Sequence, residues 1–335
     1  MGDGCVDVQS RYFFGTSGWL GGQAVVKALS EADLIVAVGC RFSSWLGSGR
    51  PPICGTCGEQ KIIQVDIEGE IIGQNIPVEI GITSDAGFFL QDLKKALAES
   101  SLPHKDEWEK WGNELANTYK DFMGSMMELA DNVSEPMNEA TVLRHVTDAL
   151  DEDTMVMTDG GQVMQWVHTF FKPSNPQRKL FTAGIGHLGV GLPFANSAKM
   201  LYPGQKVVNI TGDGSFAMTS QELETALRYG INSVTVVLND RAWGMIKAGQ
   251  VGLYNNPAGV DLSDLDFSTI AKGFGAYVEK VHKPDEIKPA LERAFGAGRP
   301  ALIEIPVQFT SHPSDRYWME VVMRGCQFPA PPQGQ

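Results

Sequence analysis

The sequence predicts an α/β protein made of two doubly wound parallel-sheet domains in series. Three observations carry that expectation. Short apolar runs, most of them rich in Val, Ile and Leu, recur at 33–39, 61–66, 154–158, 206–211 and 234–238, the texture of strands buried on both faces. Helical stretches alternate with these runs, as crossover connections in a parallel sheet require. Several runs end in Gly, Asp or Asn, at Gly39, Asp66, 212–214 and 239–240. Open α/β sheets turn and bind ligands at such carboxyl ends. A chain of 335 residues allows about two domains, and 43% hydrophobic residues supply a core for each.

Taken in order, 22–31 reads as a helix, 33–39 and 61–66 as strands, and 86–99 as a helix. Residues 1–100 thus read as one α/β unit. Asp66 closes the second strand and has two readings, a ribose contact or a structural strand end. Residues 101–136 are polar and helical in texture. Trp108, Trp111 and Tyr119 mark a packed stripe on that linker, which Pro136 closes. The second domain, 137–310, opens with an amphipathic helix at 138–150 and a strand at 154–158. After the strand 206–211 comes Gly-Asp-Gly, then a helical stretch. Thr219 and Glu222 are spaced there as a capping box, with Gly230 as the stop. The strand 234–238 follows and ends in Asn239 and Asp240. Residues 311–335, ending PAPPQGQ, read as a loosely ordered tail. No internal repeat or low-complexity block interrupts this order.

Charge narrows the choice of partners. A net charge of −13 argues against nucleic acid or an anionic membrane surface as the main partner. No apolar run approaches the length of a membrane span, and the start lacks a basic-then-apolar signal sequence. Five cysteines without framework spacing fit a reducing cytoplasm. Cys54 and Cys57 form one CxxC, with no second pair or nearby histidine to complete a zinc set.

The chemistry concentrates at 206–245. Parallel strands put their carboxyl ends on one edge, so Asp213 and Asp240 can meet there although far apart in sequence. Two carboxylates at a Gly-flanked edge suit magnesium, which takes one or two carboxylates together with phosphate oxygens and water. Gly212 and Gly214 leave room for a phosphate, and helix-start amides add partial positive charge. A rival pattern lies upstream. Residues 184–189 fit GxGxxG after a short strand-like run at 179–183, and Asp213 stands about 20 residues on, as in a dinucleotide fingerprint. That pattern points to a nicotinamide-dependent oxidoreductase, but leaves the Asp240 region unexplained.

The unit strand–GDG–helix–strand–ND resembles the cofactor motif of the thiamine-diphosphate superfamily that includes acetolactate synthase and benzoylformate decarboxylase. The stretches EADLIVAVGCRF and IIQVDIEGEIIGQN resemble the later part of that family's central domain, so the resemblance covers about residues 10–310. It implies a partial central domain followed by a thiamine-diphosphate-binding domain. It implies magnesium on Asp213, Asp240 and the Ala242 carbonyl, with Asp240 where the family usually has Asn. Gly212, Gly214 and Ser215 are implied beside the diphosphate. The turn TDGGQ resembles the family's diphosphate-contacting turn and implies Gly161 and Gln162. The segment GIGHLGVGLP resembles a family segment in which an apolar residue wedges under the bent cofactor. It implies Leu188 as the wedge and Gly186 beside the aminopyrimidine. Gly244 and Met245 match the pair that lines the thiazolium. His187 has two readings, substrate-facing or structural. FAD or a nucleotide in the central domain is a further family possibility.

The implied activity is decarboxylation of a 2-keto acid, followed by release of an aldehyde or by carboligation. Complete family members carry a further domain with an activating glutamate, which this chain lacks, so the catalytic residue is unassigned. The family's site lies between subunits. The resemblance therefore implies a homo-oligomer, or a hetero-oligomer with a chain that supplies the pyrimidine-binding domain. A non-catalytic cofactor-binding or assembly chain is the third reading. The run after Gly244 also lacks the Trp that acetolactate synthases place there.

Overall fold

The computed structural model describes residues 2, 4–49, 54, 60–101, 104–173, 175–182, 184 and 186–315. They form two units, one built on Phe14–Phe122 and one on Met123–His312. Cys57 and the tail beyond 315 lie outside the described residues, so the CxxC and tail expectations do too.

The first unit contains α1 (Gln23–Glu31), β1 (Leu34–Val38), β2 (Lys61–Asp66), β3 (Ile80–Thr83), α2 (Ala86–Ala98) and the first part of α3 (Lys105–Asp131). Its three strands pair in parallel in the order β1-β2-β3. Ala37 and Ile62 turn one face toward Phe42, Leu46 and Ile76, which close a small core. Asp85 caps α2 by accepting the Gly87 and Phe88 amides at 2.8 and 3.2 Å, and so satisfies two otherwise unpaired donors. β3 has no strand signature of its own: its IGIT is short and contains Gly81, and pairing with β2 decides it. The aromatic stripe on α3 divides. The Trp111 indole donates to Glu31 at 3.1 Å, and Tyr119 is partly buried with its phenol pushed up by burial. Trp108 is half exposed.

The second unit runs β4 (Met137–Asn138), α4 (Glu139–Asp148), β5 (Met155–Asp159), α5 (Gln162–Phe170), β6 (Lys179–Leu180), α6 (Gly191–Leu201) and β7 (Val207–Gly212). Then come α7 (Asp213–Thr219), α8 (Glu222–Arg228), β8 (Val234–Asn239), α9 (Gly244–Tyr254), α10 (Phe267–Gly273), β9 (Tyr277–Lys280), α11 (Pro284–Gly296) and β10 (Ala301–Gln308). All pairings in its sheet are parallel, in the order β4-β10-β8-β7-β5-β6, with β9 also on β10. Every residue of β8 is buried, as a strand covered by helices on both faces must be. On one face Leu192, Phe216, Val237, Phe267 and Leu302 pack together. Phe216 and Phe267 meet edge to face with ring centres 5.5 Å apart, worth about 1 kcal/mol beyond the area they bury.

Register fixes what lies on the carboxyl edge. Asp159 pairs across from Thr211, and Gly212 from Leu238. The residues after β5, β7 and β8 therefore emerge side by side.

Two local expectations are corrected. The stretch after GDG is two short helices, and Thr219 does not cap the second. Its hydroxyl donates instead to the Gly189 carbonyl at 2.8 Å, and Gln221 occupies the cap position without a side-chain bond. A tertiary partner has displaced the local motif. Gly230 does end α8: with φ +65 it lets Ile231 donate to Ala226, and it donates itself to Leu227, a Schellman closure. Among the described residues of the strand-like run at 179–183, pairing covers Lys179–Leu180.

Candidate functional site

Asp213 opens α7 directly after β7 and is 2% exposed. Its Oδ1 accepts the Gly214 amide at 2.6 Å. Its Oδ2 is buried and has no hydrogen-bond partner among the described residues. Asp240 follows β8 and is partly buried, with Oδ1 accepting the Ala242 amide at 3.1 Å. Burial, and then the charge of Asp240, push the Asp213 carboxyl up to about 7. Burial raises Asp240 to about 6, against the Ala242 amide and the charge of Lys247. Two desolvated carboxylates close enough to disturb each other are stable as anions only when a cation joins them. An unpartnered buried oxygen in such a place asks for an explanation, and a divalent ion provides one. Among the described residues no cluster of three His, Cys, Asp or Glu side chains offers a rival site.

The loop after Asp240 is sharply bent. Arg241 holds φ +57, a left-handed conformation that is costly for a side chain of this kind. Ala242 then forms an antiparallel bridge with Asp261. Its two hydrogen bonds run from Trp243 to the Val260 carbonyl and from Leu262 to the Arg241 carbonyl. Neither uses the Ala242 carbonyl. Arg241 and Lys247, the cations nearest the acidic pair in sequence, engage other carboxylates: Arg241 meets Asp264 at 3.0 Å and Lys247 meets Asp261 at 2.7 Å.

Opposite this pair stands the turn between β5 and α5. A Cβ on Gly161 would lie 2.8 Å from the Met245 Cβ, and one on Gly244 would strike the Gln162 Oε1 and lie 3.1 Å from the Asp240 Oδ2. Gly161, Gln162, Gly244, Met245 and Asp240 are thus one neighbourhood, packed closely enough that a side chain at Gly161 or Gly244 would force its neighbours to shift. The Gln162 Oε1 is buried without a partner, while its Nε2 donates to the Thr310 carbonyl. A Cβ on Gly160 would come within 3.2 Å of the Ser215 Oγ, which brings Ser215 and Gly212 to the same turn. On the far side of Asp213, the Trp243 ring covers Gly214, where a Cβ would sit 2.5 Å from it. Beyond lies a mostly apolar cleft of about 370 Å³ lined by Asp213, Met218, Trp243 and Phe267.

The glycine turn before α6 is partly described, since Ala183 and Ile185 lie outside the described residues. Gly186 has φ +65 and Gly189 φ +83. Leu188 is half-buried and His187 exposed. The nicotinamide pattern would leave the amides of this turn open to a dinucleotide diphosphate. Here the Asp159 carboxylate takes the Gly191 amide at 2.8 Å. The Gly191 amide, two residues beyond the pattern, is thus already taken by an internal carboxyl group.

Sequence reasoning passed over Asp159, Trp243 and Thr310. Asp159 carried a usable signal, an acidic residue at a strand end before two glycines. Trp243 and Thr310 had none, because their roles come from long-range packing.

The architecture and its edge define a class: a parallel α/β protein with an acidic pair and glycine turns gathered at the carboxyl ends of three neighbouring strands. Comparison with known proteins makes the class specific. The family model for the thiamine pyrophosphate enzyme C-terminal TPP binding domain matches residues 159–305. The model for the thiamine pyrophosphate enzyme central domain matches residues 1–93. Similar proteins include a probable acetolactate synthase large subunit of Methanocaldococcus jannaschii, 34% identical over 92% of this chain and 52% of its own length. The acetolactate synthase large subunit of Haemophilus influenzae is 29% identical over 93% and 54%. The acetolactate synthase of Bacillus subtilis is 25% identical over 91% and 52%. This chain belongs to the thiamine pyrophosphate enzyme family and carries its central and C-terminal TPP-binding domains. It spans about half the length of the curated relatives it matches.

Proposed function

We propose that this chain is the cofactor-binding portion of a thiamine-diphosphate- and magnesium-dependent enzyme acting on 2-keto acids, of the acetolactate synthase kind. The observation that carries the proposal is the buried, unpartnered Oδ2 of Asp213 beside Asp240. Asp213, Asp240 and the Ala242 carbonyl would hold magnesium, leaving its other positions for diphosphate oxygens and water. Gly161, Gln162, Gly212, Gly214 and Ser215 would face the diphosphate, where an added Cβ or a rival hydrogen bond would obstruct it. Gly186 and Leu188, with Gly244 and Met245, would contact the ring portion. Thiamine diphosphate, when bound, supplies the carbanion equivalent needed to decarboxylate a 2-keto acid. The residues of this chain bind, orient and keep water from the rings. A partner chain or segment supplying the pyrimidine-binding domain completes the site in this proposal. Names of the relatives favour acetolactate synthase chemistry, whereas the run after Gly244 lacks a Trp.

Isothermal calorimetry tests the proposal. Thiamine diphosphate is expected to bind only with magnesium, and Asp213→Ala to abolish that binding while the fold survives. Binding of NADH with no binding of thiamine diphosphate would reverse the choice.

A further inference from the structure

Asp159 ends β5 and is 3% exposed. Its two oxygens serve two different turns. Oδ1 accepts the Gly160 amide at 2.7 Å, at the head of the turn carrying Gly161 and Gln162. Oδ2 accepts the Gly191 amide at 2.8 Å, at the end of the turn carrying Gly186 and Leu188. Burial pushes the Asp159 carboxyl up, and the amides of Gly191, Gly160, Gly189 and Val190, which face it, oppose that rise. The surroundings leave no slack. A Cβ on Gly191 would lie 2.7 Å from the Asp159 Cβ, and one on Gly189 would lie 3.0 Å from the Met218 Cβ. From the other side Thr219 holds the Gly189 carbonyl at 2.8 Å.

We propose that Asp159 is a positioning residue that ties the turn at 160–162 to the turn at 186–191, and so sets the spacing between the tail and ring portions of the bound cofactor. This rests on the thiamine diphosphate reading above. Aspartate suits the task because a carboxylate accepts on both oxygens through charge-assisted bonds. An amide accepts on one and turns donors toward donors on the other. Asp159 reaches the cofactor only through Leu188 and Gln162, which its two turns carry.

The test compares two ligands on the full chain, thiamine diphosphate and inorganic pyrophosphate, each with magnesium. In Asp159→Asn the first is expected to bind about tenfold more weakly, the loss of one charge-assisted bond. The second is expected to hold within about twofold, because Asp213, Asp240 and Ala242 are untouched. Equal weakening of both would mean general loosening and overturn the proposal, as would no change in either. A second measurement needs no variant. In the wild type, pyrophosphate alone is expected to slow amide exchange in both turns together, and protection confined to 160–162 would also overturn it. A wild type that binds neither ligand defeats the thiamine diphosphate reading instead. Exchange in Asp159→Asn then judges the tie itself: both turns must open at once, and opening of one alone counts against it.

Discussion

Asp213 gives up its water on folding and gains no cationic partner among the described residues. Its carboxyl sits near 7 when folded and near 3.8 when free, so between those values the folded chain holds a proton that the unfolded chain has released. Stability of the ligand-free protein therefore falls as pH rises through that window. Asp240, raised to about 6, acts in the same direction. Replacing Asp213 by Asn removes the larger contribution. The expected outcome is a urea midpoint for Asp213→Asn that gains on wild type progressively as pH rises from about 4 to about 7. A constant difference across pH would count against the buried-anion account. Magnesium with a diphosphate should invert the ranking, because wild type then has its cation. Asp240→Asn probes the second carboxylate. It should raise the magnesium concentration needed for thiamine diphosphate binding by about tenfold, one unit of charge having left a partly buried site. Equal magnesium dependence in the two proteins would refute that.

At the scale of elements, glycines separate steric from conformational demands. Gly230 holds φ +65 and has open space around its missing Cβ. Gly230→Ala should cost about 1 kcal/mol, the strain of a left-handed alanine, and leave cofactor binding alone. Gly214 has ordinary backbone, but its Cβ would lie 2.5 Å from the Trp243 ring. Gly214→Ala must displace that ring or the start of α7, where Asp213 stands. A loss of magnesium-dependent binding larger than its loss in melting temperature is the expected pattern. Chemical denaturation and calorimetry on the two variants would distinguish these effects. The corrected cap at Thr219 belongs to this scale as well: its hydroxyl serves Gly189, so the break between α7 and α8 follows from tertiary bonding.

For the molecule as a whole, the decisive fact is extent. The chain aligns with about half of each relative. On the proposed function, these 335 residues bind the cofactor and a further segment completes turnover, so the two activities come apart. Purified alone, the chain is expected to bind thiamine diphosphate with magnesium yet release no carbon dioxide from pyruvate. Addition of a polypeptide carrying the pyrimidine-binding domain should restore release. Turnover by the chain alone would show that its own residues suffice. No helix among the described residues is long and apolar enough to cross a membrane.

Sequence alone determined the parallel α/β class, because β-branched runs with Gly or Asp at their carboxyl ends announce strand, direction and edge together. It also singled out Asp213 and Asp240, since glycines leave a visible mark where backbone must stay open. Only tertiary structure decided that β7 and β8 are neighbours in register, that Oδ2 of Asp213 is left unpaired, and that Arg241 and Lys247 engage other acids. The same holds for Asp159, whose two oxygens join turns about thirty residues apart. Local propensity acts through neighbours in sequence, whereas burial, charge coupling and hydrogen-bond partners depend on which distant segments a fold brings together.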